Sequence, residues 1–160
     1  MMEYEIAEIG LGAGAIGIGA LPGLGGDYRA DLKAILAWRP GMVLSLATQI
    51  EAERAGAGRL SADLGAQQIP WRRFAITDYG APDAMSQELW PMQSGGLLAA
   101  LGRGGRLFIH CRAGCGRSGM VALRLMVEAG EDPDAALTRL RAARPCAVET
   151  AAQMAWAIEG

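Results

Sequence analysis

The chain has 160 residues, a length that suits a single domain spanning residues 1–160 with a buried core. Its net charge is −2, and its residues are 51% hydrophobic and 20% charged, as in a soluble globular protein without general affinity for nucleic acid or anionic membranes. Residues 9–26 are uncharged, but their many glycines and Pro22 make them neither apolar nor helical enough for a membrane span.

In the first half of the chain, short apolar runs alternate with helical patterns. Residues 12–17 fit the spacing of a dinucleotide-binding glycine loop, but the glycines and proline that follow prevent the required helix. Thr48 and Glu51 form the pattern of a capping box, which opens a helix. The predicted elements are strands at 4–9, 15–18, 42–46 and 71–76, helices at 31–38 and from Thr48 toward Arg54, and a helical turn at 61–65.

The second half is richer in helices. A loop at 77–83 precedes a helix at 86–101, which we expect to be interrupted at Pro91. The further predicted elements are a strand at 106–109 and helices at 118–129, 133–143 and from Thr150 onward. This alternation indicates an α/β protein with one domain, whose central mixed, mostly parallel sheet has helices on both faces.

The stretch from residue 110 to residue 119 reads HCRAGCGRSG and lies between a predicted strand and a predicted helix. Loop N–H groups at a helix N-terminus converge on an anion, and the positive field there favours the thiolate form of Cys111. Arg117, in the first helical turn, can bind two oxygens of a phosphate at once. The pattern predicts a nucleophile, Cys111, beside an oxyanion-binding loop. The predicted substrate-binding residues are Arg112, Ala113, Gly114, Cys115, Gly116 and Arg117.

His110, Cys111, Arg117 and Ser118 at this spacing match the signature of the cysteine-dependent protein tyrosine phosphatases, which the chain resembles. Residues 17–23, 76–83 and 144–150 are similar to compact dual-specificity enzymes of the kinase-associated phosphatase type. The resemblance implies hydrolysis of phosphotyrosine, and in some members of phosphoserine or phosphothreonine, through a cysteinyl-phosphate intermediate. The resemblance implies no cofactor. We expect the chain to be a monomer, and we expect its partner to be a phosphorylated protein or another phosphomonoester.

The leaving oxygen needs a proton, and His110, the single histidine, is expected to face away from the sulfur because consecutive strand residues point to opposite faces. Its expected role, which the resemblance also implies, is to hydrogen-bond the loop backbone. The loop at 77–83 resembles the mobile acid loop of the phosphatases. Asp78 is favoured as the general acid over Asp83, because an aspartate between a proline and a helix is typical of an N-cap.

Ser118 and Gln153 are candidates for the second chemical step, in which water releases the phosphate. The Ser118 hydroxyl can donate a hydrogen bond to the departing sulfur, or it can simply cap the helix. Gln153 resembles the glutamine that positions the hydrolytic water in the family, but it also forms a capping-box pattern with Thr150.

The chain has three cysteines, Cys111, Cys115 and Cys146. Three is a small and uneven number, which argues against a disulfide framework. A reactive thiolate needs a reducing compartment, so we expect a cytoplasmic protein. Cys115 permits a protective disulfide with Cys111, but we favour simple packing within the loop. His110, Cys111 and Cys115 lack a fourth ligand at zinc spacing, so no metal site is expected.

Three other functions remain open. Arg112 is basic, as in phosphoinositide phosphatases, so a phosphoinositide or a small phosphorylated molecule is an alternative substrate. A rhodanese-type sulfurtransferase also builds a cysteine loop over a helix N-terminus, but it needs no acid at Asp78. A non-catalytic phosphate-binding module is disfavoured by the joint presence of Cys111, Arg117 and Asp78.

Overall fold

A computed structural model describes residues 3–160. Within this range the strands and helices alternate much as the sequence predicts, with boundaries shifted by a few residues. The strands are β1 (Ala7–Leu11), β2 (Gly14–Gly19), β3 (Met42–Ser45), β4 (Trp71–Arg73) and β5 (Arg106–His110). The helices are α1 (Tyr28–Trp38), α2 (Gln49–Arg54), α3 (Leu60–Ala66), α4 (Ala84–Gly102), α5 (Gly116–Glu128), α6 (Pro133–Ala143) and α7 (Ala151–Ile158).

The five strands form one sheet in the order β1-β2-β5-β3-β4. The hairpin partners β1 and β2 pair antiparallel, whereas β2 with β5, β5 with β3, and β3 with β4 pair parallel. The predicted mixed, mostly parallel sheet is therefore confirmed. Because β2, β5, β3 and β4 run in one direction, the segments that follow them meet at one edge of the sheet, where open α/β sheets bind their ligands.

Alternate residues of the central strand β5 face opposite sides of the sheet, and each side has its own apolar cluster. Leu107 and Ile109 pack in a large cluster with buried residues of α4, α5, α6 and α7. Phe108 packs in a smaller one with Ile35 of α1 and Leu64 of α3. Helices thus cover both faces, as predicted, and β5 is fixed from both sides where it delivers the chain to the sheet edge.

The predicted interruption at Pro91 is wrong, because α4 runs continuously from Ala84 to Gly102. Trp90, next to the proline, is buried, packs against the rings of Phe74 and Trp156, and donates its indole N–H to Glu128. These contacts favour a continuous helix despite the loss of one backbone hydrogen bond at the proline. Tertiary packing therefore outweighs the local signal.

Candidate active site

The loop between β5 and α5 holds the free cysteine of the described chain. Cys111 follows the last residue of β5 directly and is only 2% exposed. No described side chain caps the N-terminus of α5, which begins at Gly116. The first N–H groups of an uncapped helix have no intrahelical acceptor, and with the helix dipole they favour an anion. The loop after β5 therefore carries a buried thiol and leads into a helix whose first N–H groups have no side-chain cap.

Arg117 lies in the first turn of α5 and is 1% exposed. Its two terminal nitrogens each donate to a different carboxylate oxygen of Glu51, both at 2.7 Å. Nη1 also donates to the carbonyl of Ile76 at 2.9 Å, and Nη2 lies 3.1 Å from Oδ1 of Asp78. Nε is buried without a hydrogen-bond partner in the described chain. The guanidinium is thus held in one plane with one donor free.

The two candidate acids differ in position. Asp78 lies beside Arg117, its side chain is 41% exposed, and its Oδ1 also accepts a hydrogen bond from the amide of Tyr79. Asp83 is the N-cap of α4 and accepts a hydrogen bond from the amide of Ser86, which lowers its pKa. The N-cap prediction for Asp83 is confirmed. Only Asp78 of these two carboxylates is in contact with the arginine of the loop.

His110 is fully buried and forms hydrogen bonds on both ring nitrogens. Nε2 lies 2.5 Å from Oγ of Ser45, and Nδ1 lies 3.1 Å from the carbonyl of Cys111. The indole of Trp71 donates to the same Ser45 oxygen at 2.8 Å. Since the Cys111 carbonyl can only accept, Nδ1 carries the proton, and Ser45 donates to Nε2. Burial lowers the pKa of His110 to about 4, so the ring is neutral at pH 7.

Ser118 and Gln153 are both fully buried near the start of α5. The Ser118 hydroxyl has no hydrogen-bond partner in the described chain. Gln153 forms the predicted capping box with Thr150, and its Oε1 also accepts from the amide of Glu149 at 2.8 Å. Its Nε2 donates to the carbonyl of Gly80 at 3.2 Å. Gln153 therefore links α7 to the loop that carries Asp78.

Cys115 does not match either sequence-based interpretation. It forms a disulfide with Cys146, in the segment between α6 and α7, with the Cα atoms 5.1 Å apart. Neither the pairing with Cys111 nor simple loop packing is therefore correct, and an odd number of cysteines did not preclude one disulfide. A zinc site using Cys115 is excluded by the same bond. The expected cytoplasmic location stays a prediction, but disulfides are rare in that compartment.

The predicted substrate-binding residues form one loop, and several contacts hold its carbonyls away from the pocket. Arg144 donates from Nε to the carbonyl of Gly114 at 2.9 Å and from Nη2 to that of Ala113 at 3.0 Å. The φ of Gly114 is +72°, and a Cβ there would lie 2.6 Å from the backbone of Gly19. Arg112 is exposed at the rim of the loop.

Sequence reasoning missed the residues that support the loop. Glu51 was found only as a capping-box residue, and it serves that purpose as well as binding Arg117. Ser45 carried no recognisable signal, and Arg144 was included only in the 144–150 resemblance, without a role. Each contacts the loop from another part of the chain. No helix in residues 3–160 is long and apolar enough to cross a membrane.

Comparisons with known proteins agree with this geometry. Residues 84–160 match the family model of the protein-tyrosine phosphatases. No curated protein matches the chain in sequence.

Several solved structures share the fold. A kinase-associated phosphatase whose catalytic-site cysteine is replaced by serine superposes with a TM-score of 0.84 at 23% identity, covering 99% of this chain and 94% of that one. Tk-PTP in its active form gives 0.64 at 25% identity, with 90% and 89% covered. PTPMT1 in complex with PI(5)P gives 0.72 at 16% identity, with 96% and 93% covered.

Proposed function

We propose that this chain, whose residues 84–160 match the protein-tyrosine phosphatase family model, is a cysteine-dependent phosphatase that hydrolyses phosphate monoesters through a cysteinyl-phosphate intermediate. Phosphotyrosine is the first proposed substrate, with phosphoserine and phosphothreonine next. One observation carries the proposal. The buried, unpaired Nε of Arg117 lies at an uncapped helix N-terminus that also holds the buried free thiol of Cys111.

The first step is an attack by the Cys111 thiolate on phosphorus. The P–O bond to the leaving group breaks, and the leaving oxygen takes a proton from Asp78. The amides of the loop and Arg117 bind the three remaining phosphate oxygens, whose negative charge they stabilise. In the second step a water molecule gives its proton to Asp78 and attacks phosphorus. The sulfur leaves as a thiolate, which accepts a hydrogen bond from Ser118.

The hydrogen bonds of Arg117 support a scheme in which substrate binding releases Asp78, the proposed acid, from the arginine. A guanidinium has five N–H groups, and the carboxylates of Glu51 and Asp78 and the carbonyl of Ile76 take up four of them. A phosphate bound by two parallel hydrogen bonds needs Nε and Nη2. It therefore replaces Asp78 at Nη2, and the carboxyl of Asp78 becomes free to turn toward the leaving oxygen.

Gln153 has a supporting role in this scheme. Backbone groups of Glu149, Thr150 and Gly80 already occupy most of its amide. We propose that it positions the Asp78 loop, with one remaining Nε2 proton available to a water molecule.

The test is hydrolysis of an aryl phosphate as a function of pH, in EDTA, by wild type and by Cys111→Ser, Asp78→Ala and Asp83→Ala. We expect metal-independent turnover by wild type, none by Cys111→Ser, and a loss of about 10²- to 10⁴-fold in Asp78→Ala. Asp83→Ala is the matched control, because it removes only a helix cap and should retain activity. An active Cys111→Ser variant would overturn the mechanism. Inactive wild type would direct the next assay to sulfur transfer from thiosulfate to cyanide.

A phosphoinositide or a related polyphosphate is a second candidate substrate. Arg112 and Arg54, both exposed, line a cavity of about 270 Å³ beside the loop. PTPMT1, which shares the fold, was crystallised with PI(5)P. If such a headgroup is the substrate, Arg112→Gln should raise KM for a soluble phosphoinositide about tenfold and leave KM for an aryl phosphate unchanged. Equal effects on both substrates would contradict this candidate.

A further inference from the structure

The segment that follows α6, residues 144–148, lies against the outer side of the phosphate-binding loop and contacts three consecutive loop residues. Arg144 binds the carbonyls of Ala113 and Gly114. Cys146 is joined to Cys115 by the disulfide, and the amide of Val148 donates to the carbonyl of Cys115 at 3.4 Å. We call residues 144–148 the brace segment.

These contacts determine which way the loop amides point. The N–H and C=O of a trans peptide point in opposite directions within one plane. When the carbonyls of Ala113, Gly114 and Cys115 are held toward the brace segment, the N–H groups of the residues that follow them point away from it. Those are the amides that an oxyanion in the loop would bind.

The brace segment itself is held in place. Arg141 of α6 donates to the carbonyls of Ala147 and Val148, both at 2.9 Å. Val148 has a φ of +65°, which is strained for a β-branched residue and persists only where surrounding contacts enforce it. A Cβ at Gly119 of α5 would lie 2.6 Å from the amide of Val148, so helix and segment are in close contact.

The disulfide is accessible although Cys111 is not. Cys146 is exposed, Cys115 is half-buried, and Cys111 remains a free, buried thiol. A change at the disulfide therefore leaves the nucleophile chemically intact. It alters only the support of the loop that binds the oxyanion.

We propose that Arg144 and the Cys115–Cys146 disulfide together brace the phosphate-binding loop, and that a dithiol reductant opens the covalent part and weakens oxyanion binding. This rests on the proposed function only in taking the oxyanion to be the substrate's phosphate. Oxidation thus maintains the loop in its binding conformation. Arg144 acts as a positioning residue, and so do the two cysteines of the disulfide.

The redox step balances with a dithiol as the only co-reactant. A thiolate of the reductant attacks the exposed sulfur of Cys146, the S–S bond breaks, and Cys115 leaves as a thiolate that takes a proton. The second thiol of the reductant attacks the mixed disulfide and releases Cys146 as a thiol. Two electrons pass to the protein, and the reductant becomes a disulfide. A low-molecular-weight disulfide reverses the reaction.

The experiment compares tungstate binding, measured by calorimetry, to the full chain before and after reduction with dithiothreitol. Thiol titration of the unfolded protein defines the two states as one and three free thiols. We expect reduction to weaken tungstate binding about tenfold, the effect of losing roughly one hydrogen bond to the anion. Cys146→Ser, which cannot form the disulfide, should bind as weakly as reduced wild type and should not respond to dithiothreitol.

Arg144→Gln tests the non-covalent part, with Arg139→Gln on the preceding helix α6 as its control. Arg139 binds Glu131 and the carbonyl of Gly10, away from the loop. Arg144→Gln should weaken tungstate binding about tenfold and raise KM for an aryl phosphate more than it lowers kcat, whereas Arg139→Gln should change neither. Arg144→Lys, which can reach one carbonyl, should recover part of the affinity.

Three outcomes would overturn the proposal. Equal tungstate affinity in the two redox states of wild type would show that the disulfide does not support the loop. This comparison uses wild type only, so it decides the point even if every variant fails to fold. Equal affinity of Arg144→Gln and Arg139→Gln excludes Arg144. If neither state of wild type binds tungstate or hydrolyses an aryl phosphate, the proposed function fails as well.

Discussion

Glu51 holds the guanidinium of Arg117 through two hydrogen bonds, each of 2.7 Å. The hydrogen bond to Arg117 lowers the pKa of Glu51 to about 2, and a bond from the amide of Thr48 acts in the same direction. The carboxylate of Glu51 therefore stays charged over the whole pH range in which the proposed phosphatase reaction would be measured, including mildly acidic pH. In the proposed mechanism, Glu51 fixes the plane in which Arg117 would bind phosphate oxygens.

Glu51→Gln should reduce kcat/KM for an aryl phosphate about 100-fold, because a misplaced Arg117 no longer matches the transition state. Glu53→Gln is the control, since Glu53 lies on the same helix and its side chain binds only Gln49 among the described residues.

The folded pKa of Glu51 is below the unfolded value, so the stabilisation that Glu51 contributes is present above pH 4.5 and is lost as the pH falls toward 2. The difference in urea stability between wild type and Glu51→Gln should shrink over this range. A difference independent of pH would contradict the assignment.

His110 provides a second window of pH dependence, at higher pH. Burial lowers its pKa from 6.5 to about 4, so the unfolded chain binds a proton at a pH where the folded chain does not. The contribution of the neutral His110 to the free energy of unfolding is fully present above pH 6.5, and up to about 3 kcal/mol of it is lost as the pH falls to 4.

Urea unfolding between pH 7 and pH 4 should show this loss in wild type and not in His110→Gln. Because the chain has one histidine, NMR of its imidazole assigns the titration without ambiguity. A histidine that titrates near pH 6.5 in the folded protein would refute the buried, neutral ring.

At the scale of secondary-structure elements, two hydrogen bonds link α7 and its N-cap to the loop before α4. Gln153 donates to the carbonyl of Gly80, and the Thr150 hydroxyl donates to that of Tyr79 at 3.3 Å. Tyr79 has a φ of +62°, so the loop next to Asp78 is held in an unfavourable backbone conformation. These two bonds hold the backbone next to Asp78, the proposed general acid, in place.

Gln153→Ala should therefore impair protonation of the leaving group. We expect kcat to fall about tenfold for phenyl phosphate and to change little for 2,4-dinitrophenyl phosphate, whose leaving group needs no proton. In an Asp78→Ala background the same substitution should have no further effect on phenyl phosphate. A general loss of stability would lower both rates equally, and that result would exclude a positioning role for Gln153.

The elements show how far sequence reasoning reaches. The caps at Asp83, Thr48 and Thr150 were predictable because each depends on residues three positions apart. The continuity of α4 through Pro91 was not, because it depends on Trp90 packing against Phe74 and Trp156 from distant parts of the chain.

At the scale of the whole molecule, the site draws on segments from Glu51 to Gln153, which meet only at the edge of the folded sheet. The residues of the 110–119 loop could be predicted because a single strand, loop and helix contain them. The pairing of Arg117 with Glu51 spans 66 positions and that of Cys115 with Cys146 spans 31, and neither leaves a periodic signal. The number of cysteines limits how many disulfides can form, but it does not identify which cysteines are bonded to each other.

The disulfide should also stabilise the whole fold. Closing a loop of 31 residues restricts the unfolded chain and contributes about 3–4 kcal/mol on the chain-entropy account. Reduced wild type and Cys146→Ser should therefore unfold at lower urea concentration than oxidised wild type, by similar amounts. If reduction leaves the unfolding midpoint unchanged, the two sulfurs are not bonded in solution.

Cys111 and the Cys115–Cys146 pair impose opposite conditions on the handling of this protein. Reductant in the buffer preserves the Cys111 thiol but opens the brace segment's link to the loop, and its omission does the reverse. Preparations made with and without dithiothreitol should then be two distinct catalysts of identical sequence. The reduced one should gain substrate affinity when the reductant is dialysed away, whereas most thiol enzymes lose activity under that treatment.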